Sequence, residues 1–197
     1  MAKIILGSQS PRRCEILSFF SIPFRQVSSD FDEALIAFDT DPGTHSCDIA
    51  RAKAKILSEQ YPDKIILTAD TVVYFQGRSL EKPKDLVHAR NMLRELSGQW
   101  HEVHTGVCVA TGDHFFSDSE CTRVLFTELT DNEIDTYIQK FHTLDKAGGY
   151  AIQQAGSLIV KRIEGCYYNV MGLPLQTVRR LLKQASRIDL WDYFKSV

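Results

Sequence analysis

The sequence lacks the patterns that would place it in several large classes of protein. Its 197 residues include only five cysteines, an odd and scattered set in which no two form a C-x-x-C pair. We therefore expect neither a disulfide framework nor a zinc site, and reduced thiols in a cytoplasmic protein are the natural interpretation. No apolar run is long enough to span a membrane, and the apolar run 1–7 is too short for a signal peptide.

The sequence also has no excess of charge of either sign. Lysine and arginine total 23 against 25 aspartates and glutamates, which gives a net charge of -2. A chain with this balance has no global positive field, so we expect neither nucleic acid nor an anionic membrane as its partner. The common phosphate-loop, dinucleotide, serine-hydrolase and zinc-protease motifs are missing as well. Any site for an anion must therefore be local.

What is present suits a soluble globular protein with a single domain, 1–197. Apolar residues make up 44% of the chain and charged residues 24%, which is ordinary for this class. Predicted strands and helices are mixed, with hairpins as well as crossovers, which favours an α/β fold with a mixed or antiparallel sheet flanked by helices. No linker divides the chain, so we expect two lobes at most and an apolar C-terminal tail, 187–197, that packs on them.

Hydrophobic periodicity and capping signals predict the individual elements. The predicted strands are 4–7, 24–28, 64–69 with a continuation at 71–75, 103–109, 122–126, 158–163 and 166–170. The last two of these are predicted to form a hairpin around Glu164 and Gly165. The predicted helices are 10–20, 46–60, 85–97, 130–141 and 174–182. Ser10, Asp85 and Thr130 are the predicted N-caps.

The first candidate site is the segment 8–13, where a predicted strand ends and a helix begins. Helix N-termini present unpaired N–H groups and a partial positive charge, so the hydroxyls and two arginines of this segment form a natural phosphate cradle. The alternative is that Ser10 only caps the helix and that Arg12 and Arg13 are solvated. Cations in the first turn oppose the helix dipole, a cost that a bound anion would offset.

Lys53 and Asp70 are two further candidates, and each has an ordinary structural alternative. Lys53 is four residues from both Ile49 and Leu57, so it falls on the apolar stripe of its helix and must either extend to solvent or meet an anion. Asp70 follows an apolar strand, a position typical of a metal ligand or general base and equally of a turn residue. The candidates are cations and carboxylates, and the sequence offers no nucleophile–base pair. This set suits metal-assisted hydrolysis of a phosphorylated substrate by water.

Six short motifs occur in the order seen in Maf proteins. They are Ser-Gln-Ser-Pro-Arg-Arg at 8–13, Ala-Asp-Thr at 69–71, Glu-Lys-Pro at 81–83, Leu-Ser-Gly at 96–98, Asp-Lys-Ala-Gly at 145–148 and Met-Gly-Leu-Pro at 171–174. From about Ile4 to Leu182 the chain therefore resembles the Maf family. The resemblance implies a Maf/inosine-triphosphatase-like α/β fold, with a mixed sheet flanked by helices, two lobes around a central cleft and often a homodimer.

The resemblance also implies an activity and the residues that carry it. Members of the family are pyrophosphatases that act on nucleoside triphosphates with a divalent metal cation, Mg²⁺ or Mn²⁺, remove non-canonical nucleotides and are linked to arrest of cell division. The proton acceptor of the family falls on Asp70 and the acid of its early loop on Glu33, and both are candidates for holding the metal. The phosphate-binding positions fall on Ser8, Arg12, Arg13, Lys53 and Lys82, and the positions tied to substrate choice fall on Arg12, Thr71 and Gln153.

The segment 145–153 is similar to the branch of the family that acts on dTTP and UTP. We therefore expect these nucleotides to be cut to the monophosphate and pyrophosphate. Two departures from the branch, Ala151 and Gln154 at positions usually held by glycine, bear on the base preference more than on the reaction. The alternatives are a nucleotide phosphatase that releases orthophosphate and a non-catalytic, nucleotide-binding regulator of septation.

Overall fold

The computed structural model describes residues 3–38, 41–153 and 155–194. Its strands are β1 (Ile4–Gly7), β2 (Phe24–Val27), β3 (Ile65–Phe75), β4 (Arg78–Leu80), β5 (Trp100–Thr111), β6 (His114–Phe126) and β7 (Val160–Glu164). Its α-helices are α1 (Pro11–Leu17), α2 (Pro42–Gln60), α3 (Leu86–Leu96), α4 (Asp131–Lys140), α5 (Gly156–Ile159), α6 (Tyr167–Val170) and α7 (Leu175–Ser186). Short 3₁₀ turns lie at Glu33–Leu35, Ala147–Gly149 and Leu190–Tyr193.

The strands form one mixed sheet in the order β2-β1-β3-β5-β6-β7, with β4 paired to β3. β1 runs parallel to β2 and β3, whereas the pairs β3–β4, β3–β5, β5–β6 and β6–β7 are antiparallel. The prediction of a mixed sheet flanked by helices is confirmed. β1 stops at Gly7, opposite Thr68, and β4 pairs with β3 only from Val73 onward. Among the described strands, none lies beside this edge of β3 at residues 69–72.

One face of the sheet is covered by α2. Its side chains Ala50, Ala54 and Leu57 pack against Ile66 on β3 and Ala110 on β5. The close approach of this helix requires a glycine on β5, since a β-carbon at position 106 would lie 2.3 Å from the backbone of α2. The helix also begins earlier than the predicted residue 46, because the side chain of Asp41 accepts a hydrogen bond from the Thr44 amide and caps it.

The core on the opposite face is divided in two. One apolar cluster joins β1, β3 and β5 to α1 and α7, and a second joins the far ends of β3, β5 and β6 to α3 and α4. Between the two clusters, the hydroxyls of Thr71 and Thr105 lie 3.0 Å apart on neighbouring strands. A polar line therefore separates two lobes, and the cleft of the molecule lies along it, as predicted.

The predicted helix ends are confirmed in most places. Thr130 and Glu133 form a capping box on α4, and Asp85 caps α3 through the amide of His88. Gly98 follows α3 with φ of 69°, the left-handed conformation expected of the residue that ends a helix. The prediction for α1 was less accurate. It ends at Leu17 rather than at residue 20, and Ser10 occupies the N-cap position without a side-chain hydrogen bond to the helix.

The predicted hairpin at 158–170 is wrong. Only Val160–Glu164 is a strand, whereas Gly156–Ile159 and Tyr167–Val170 are helical. The second helical turn has a tertiary cause, since it carries Asn169, which is fully buried. The Asn169 side chain donates hydrogen bonds to the Val103 carbonyl (2.8 Å) and to the Thr122 hydroxyl (2.9 Å). These polar contacts with β5 and β6 outweigh the local preference for a strand.

The C-terminal tail packs on the lobe that contains β1, α1 and α7. Ile188 and Leu190 are buried, and the ring of Phe194 lies 5.1 Å from that of Phe20. The last three residues of the predicted tail, 195–197, and Gln154 lie outside the described residues. All five cysteines are free thiols, as predicted. Of the helices that the structure describes, none has the length and apolar character needed to cross a membrane.

Candidate functional site

A cleft of about 580 Å³ opens between the two lobes, above the point where β1 ends. It brings together residues from the N-terminal loop, α1, α2, β3 and the loop 145–153, which are far apart in the sequence. All nine residues predicted for the site line this cleft: Ser8, Arg12, Arg13, Glu33, Lys53, Asp70, Thr71, Lys82 and Gln153.

The deepest part of the cleft holds a lysine between two carboxylates. Lys53 Nζ lies 2.8 Å from Asp70 Oδ1 and 2.7 Å from Glu33 Oε1. Lys53 and Asp70 are both buried, at 7% exposure each, so the lysine pairs with carboxylates inside the protein rather than extending to solvent. Burial opposes ionisation of Glu33, but the charge and hydrogen bond of Lys53 hold its pKa below the ordinary value. Glu33 is therefore ionised at neutral pH.

The sequence suggested that Asp70 follows the end of a strand, but the structure shows that it does not. It lies in the middle of β3, opposite Gly106 on β5. It nevertheless reaches the cleft because its other neighbour, β1, stops at the level of Thr68. The carboxylate is thus held by a rigid central strand and still faces an open space, which is an arrangement suited to a reacting group.

Arg13 completes the open edge of β3 rather than pointing freely into the cleft. Its guanidinium donates to the carbonyls of Gly172 (2.7 Å) and Ala69 (2.8 Å) and to the hydroxyls of Thr71 (2.9 Å) and Ser8 (3.2 Å). Burial lowers its pKa, against the opposing charge of Asp70. An arginine has five N–H donors, so four contacts leave a single one for a ligand. The structure makes Arg13 chiefly a positioning residue for both lobes.

The remaining cations form the rim of the cleft. Arg12 Nη1 lies 3.8 Å from Asp145 Oδ2, a loose contact that leaves the guanidinium available to an anion. Lys82 is exposed and makes no ion pair with any residue that the structure describes. The first turn of α1 also contributes its amides, although the amide of Ser10 donates to Ser8 Oγ at 3.1 Å. Two accessible cations, Arg12 and Lys82, therefore lie at the mouth of the cleft.

The loop 145–153 is anchored by two residues that the sequence did not single out for this role. The Tyr137 hydroxyl accepts a hydrogen bond from the Ala151 amide at 3.1 Å. The imidazole of His101 bonds the Tyr150 hydroxyl at 2.7 Å, and burial lowers the His101 pKa to about 4, so this imidazole is neutral at pH 7. The anchored residues, Tyr150 and Ala151, lie just before Gln153, so these two contacts fix the segment that presents Gln153.

Gln153 has a partner that sequence reasoning missed. Its Nε2 donates to Glu15 Oε2 on α1 at a distance of 3.2 Å. A carboxylate accepts and cannot donate, so it bonds the NH₂ end of the glutamine amide and leaves the Oε1 end available. The signal in the sequence was the position of Glu15, which lies on α1 three residues after Arg12 and on the same side of the helix.

Comparison with known proteins agrees with this geometry. Residues 3–185 match the family model described as Maf-like protein. The chain belongs to the Maf family. The Maf motifs at 8–13, 69–71 and 145–148, separate in the sequence, all contribute residues to the lining of the one cleft. Family membership, predicted from the order of these motifs, is therefore confirmed.

Individual relatives are similar to this Maf protein over almost its whole length. The dTTP/UTP pyrophosphatase of Chlamydia trachomatis serovar L2 is 42% identical over 193 residues, 98% of each chain. The dTTP/UTP pyrophosphatase of Pyrococcus furiosus is 44% identical over 189 residues, 95% of this chain and 98% of that one. Among solved structures, the Staphylococcus aureus Ham1 protein is similar with a TM-score of 0.45 and 12% identity, over 78% of this chain and 88% of that one; this likeness is too distant to bear on function.

Proposed function

We propose that this Maf protein hydrolyses dTTP and UTP to the nucleoside monophosphate and pyrophosphate. The observation that carries the proposal is a buried aspartate, Asp70, which pairs with Lys53 in a cleft whose mouth is lined by cations. A cleft that only bound an anion would be weakened by this carboxylate, whereas hydrolysis needs a group that accepts a proton from water. The names of the relatives support the same substrates.

The phosphates bind along the cationic rim. Arg12 and Lys82, with the amides at the start of α1, meet the triphosphate, and Lys53 meets it from below. Arg13 contributes one remaining N–H donor and ties the start of α1 to β3 and to the backbone of Gly172. These charges are fixed before the substrate arrives, so they stabilise the extra negative charge of the transition state without reorganisation.

The chemical step is an attack of water on the α-phosphorus. Asp70 accepts the proton of the water, the new bond forms between the water oxygen and phosphorus, and the bond from phosphorus to the oxygen that bridges the α- and β-phosphates breaks. Pyrophosphate leaves with its charge neutralised by Arg12 and Lys82. Lys53 orients Asp70 through its 2.8 Å contact, so that the base is in place before the substrate binds.

The carboxylates of the cleft fit a divalent cation. Glu33 and Asp70 converge on one nitrogen atom, Lys53 Nζ, within 2.8 Å, and each uses only one of its two carboxylate oxygens in this contact. Mg²⁺ and related cations are commonly held by one or two carboxylates together with substrate phosphates. When bound, such a cation supplies charge neutralisation and lowers the pKa of a bound water. We therefore propose Glu33 and Asp70 as the residues that hold Mg²⁺ or Mn²⁺.

The base is selected at the other end of the cleft. Glu15 engages the NH₂ of Gln153, so the free Oε1 is an acceptor suited to the N3–H of thymine or uracil. Cytosine has an unprotonated N3 and meets this oxygen with a second acceptor. A site built around one polar edge rejects such a mismatch strongly. Thr71, whose hydroxyl is already bonded to Arg13 and Thr105, acts on this choice by positioning.

Product analysis tests the proposal. The purified protein is incubated with dTTP, UTP, CTP or GTP and Mg²⁺ or Mn²⁺, and pyrophosphate and orthophosphate are measured separately. We expect one pyrophosphate for each monophosphate formed, with dTTP and UTP comparable and the other nucleotides poorer. Release of orthophosphate would establish the phosphatase alternative, and nucleotide binding without turnover would establish the regulator.

A further inference from the structure

The outer part of the α2 face carries three metal-binding side chains of different kinds. Glu102 and His104 are two residues apart on β5, so their side chains lie on the same face of the sheet. Cys121 on β6 is directly opposite His104 in the antiparallel register. Among the residues that the structure describes, these three place one ligand atom each within 4.8 Å of one another. The hairpin, and not a short sequence motif, therefore creates the cluster.

The distances suit a single metal ion of the zinc class. His104 Nε2 lies 2.9 Å from Glu102 Oε2 and 3.5 Å from Cys121 Sγ. A tetrahedral ion at about 2.0–2.3 Å from its ligands separates those ligands by about 3.3–3.8 Å. Small side-chain rotations are enough to reach this spacing. The contact between Glu102 and His104 lies where the ion would bind.

The chemical nature of the donors favours a borderline ion over Mg²⁺. A thiolate and an imidazole suit Zn²⁺ or Co²⁺, whereas Mg²⁺ prefers an all-oxygen set. When Nε2 of a histidine binds a metal, the other ring nitrogen carries a proton that needs an acceptor. On His104 this nitrogen faces the start of α2. A β-carbon built on Gly43 would lie 3.7 Å from His104 Nδ1 and 3.4 Å from Asp41 Oδ2. The imidazole nitrogen and the carboxylate of Asp41 are therefore close to the same point of the backbone.

The surroundings are compatible with a cation. Asp41 and Glu102 add negative charge, and Arg123, a cation whose charge acts on Cys121, is engaged by Glu164 at 3.0 Å and by the ring of Trp100. Burial and the neighbouring carboxylate of Glu102 raise the pKa of the Cys121 thiol to about 11, so binding of an ion would displace a proton. None of the three ligands lines the substrate cleft. The cluster is thus separate from the residues assigned to catalysis.

We propose that Glu102, His104 and Cys121 form a second metal site, which binds one Zn²⁺-class ion across the β5–β6 hairpin. The described residues offer three ligands, so the fourth position of the ion is assigned to water. Because both strands belong to the central sheet, the ion joins elements that are already rigid and needs little reorganisation to bind. Its expected effect is to stabilise the folded chain rather than to take part in hydrolysis.

Cobalt substitution tests the site independently of activity. Co²⁺ is titrated into the reduced, metal-free full-length protein, and the thiolate-to-cobalt absorption band is recorded. We expect a band that saturates at one equivalent, that Zn²⁺ abolishes and that excess Mg²⁺ leaves in place. Cys121→Ser should remove the band, and His104→Gln should weaken Co²⁺ affinity by at least roughly tenfold, since loss of even an outer partner costs about 10–100-fold.

Two variants serve as controls. Cys166→Ser removes a partly exposed cysteine that is not part of the cluster and should retain the band, as should Asp70→Asn, which removes the carboxylate assigned to the active site. Zn²⁺ should also raise the thermal midpoint of the wild type but not of Cys121→Ser. A band that persists in Cys121→Ser, or no band in the folded wild type at saturating Co²⁺, would overturn the proposal. If Mg²⁺ displaces Co²⁺ as well as Zn²⁺ does, the cluster is a nonspecific acidic surface and the proposal is wrong.

Discussion

The contact between Glu15 and Gln153 yields a sharp prediction about base choice. Replacement of Glu15 by glutamine keeps the length of the side chain but allows it to donate as well as accept. The amide of Gln153 is then free to turn and to present its NH₂ to N3 of cytosine. We therefore expect Glu15→Gln to lower the preference for dTTP over CTP, mainly by improving the use of CTP. This prediction rests on the proposed function.

The size of the effect follows from the contact itself. Hydrogen bonds to a charged group contribute about 1.5–3 kcal/mol. The contact is 3.2 Å long and exposed, so screening by solvent reduces its contribution to about 0.5–1.5 kcal/mol. One factor of ten corresponds to about 1.4 kcal/mol. The ratio of kcat/KM for dTTP to that for CTP should therefore fall about 2- to 13-fold.

The assay compares kcat/KM for dTTP, UTP and CTP in the wild type, Glu15→Gln and a matched control. Glu59→Gln is a suitable control because Glu59 is also an exposed glutamate on a helix but does not line the cleft. Gln153→Leu should lower activity on dTTP and UTP and likewise narrow the gap to CTP. An unchanged dTTP to CTP ratio in folded Glu15→Gln would refute the argument that Glu15 orients Gln153.

Three further predictions concern the buried charges. Asp70→Asn should lower kcat by at least about 100-fold, in line with loss of a general base; near-normal turnover in a folded variant would contradict this role. Lys53→Met leaves Asp70 and Glu33 without their cation, so it should abolish turnover and destabilise the protein by about 3–5 kcal/mol; a thermal midpoint at or above that of the wild type would show that the ion pairs add nothing. His101 has a pKa of about 4 in the folded protein against 6.5 when exposed, so the unfolded chain takes up a proton first as the pH falls. Stability should therefore decrease between pH 6.5 and 4, by up to about 3 kcal/mol, and chemical denaturation across this range should show a shallower decline in His101→Gln.

The order of the Maf motifs and the local capping signals could be identified from the sequence alone. Thr130 with Glu133 predicted the start of α4, and Gly98 predicted the end of α3, because such signals act within one helical turn. Hydrophobic periodicity also placed Lys53 on a buried stripe. These features depend on neighbours a few residues away, and the sequence alone determines them.

Tertiary structure decided what those residues meet. Lys53 pairs with Asp70 and Glu33, which are 17 and 20 positions away, and Arg13 bonds Gly172 across 159 positions. The turn that carries Asn169 became helical because two strands offered it hydrogen-bond partners. Local patterns carry no record of such contacts, since strand order and register bring the partners together only when the whole sheet forms.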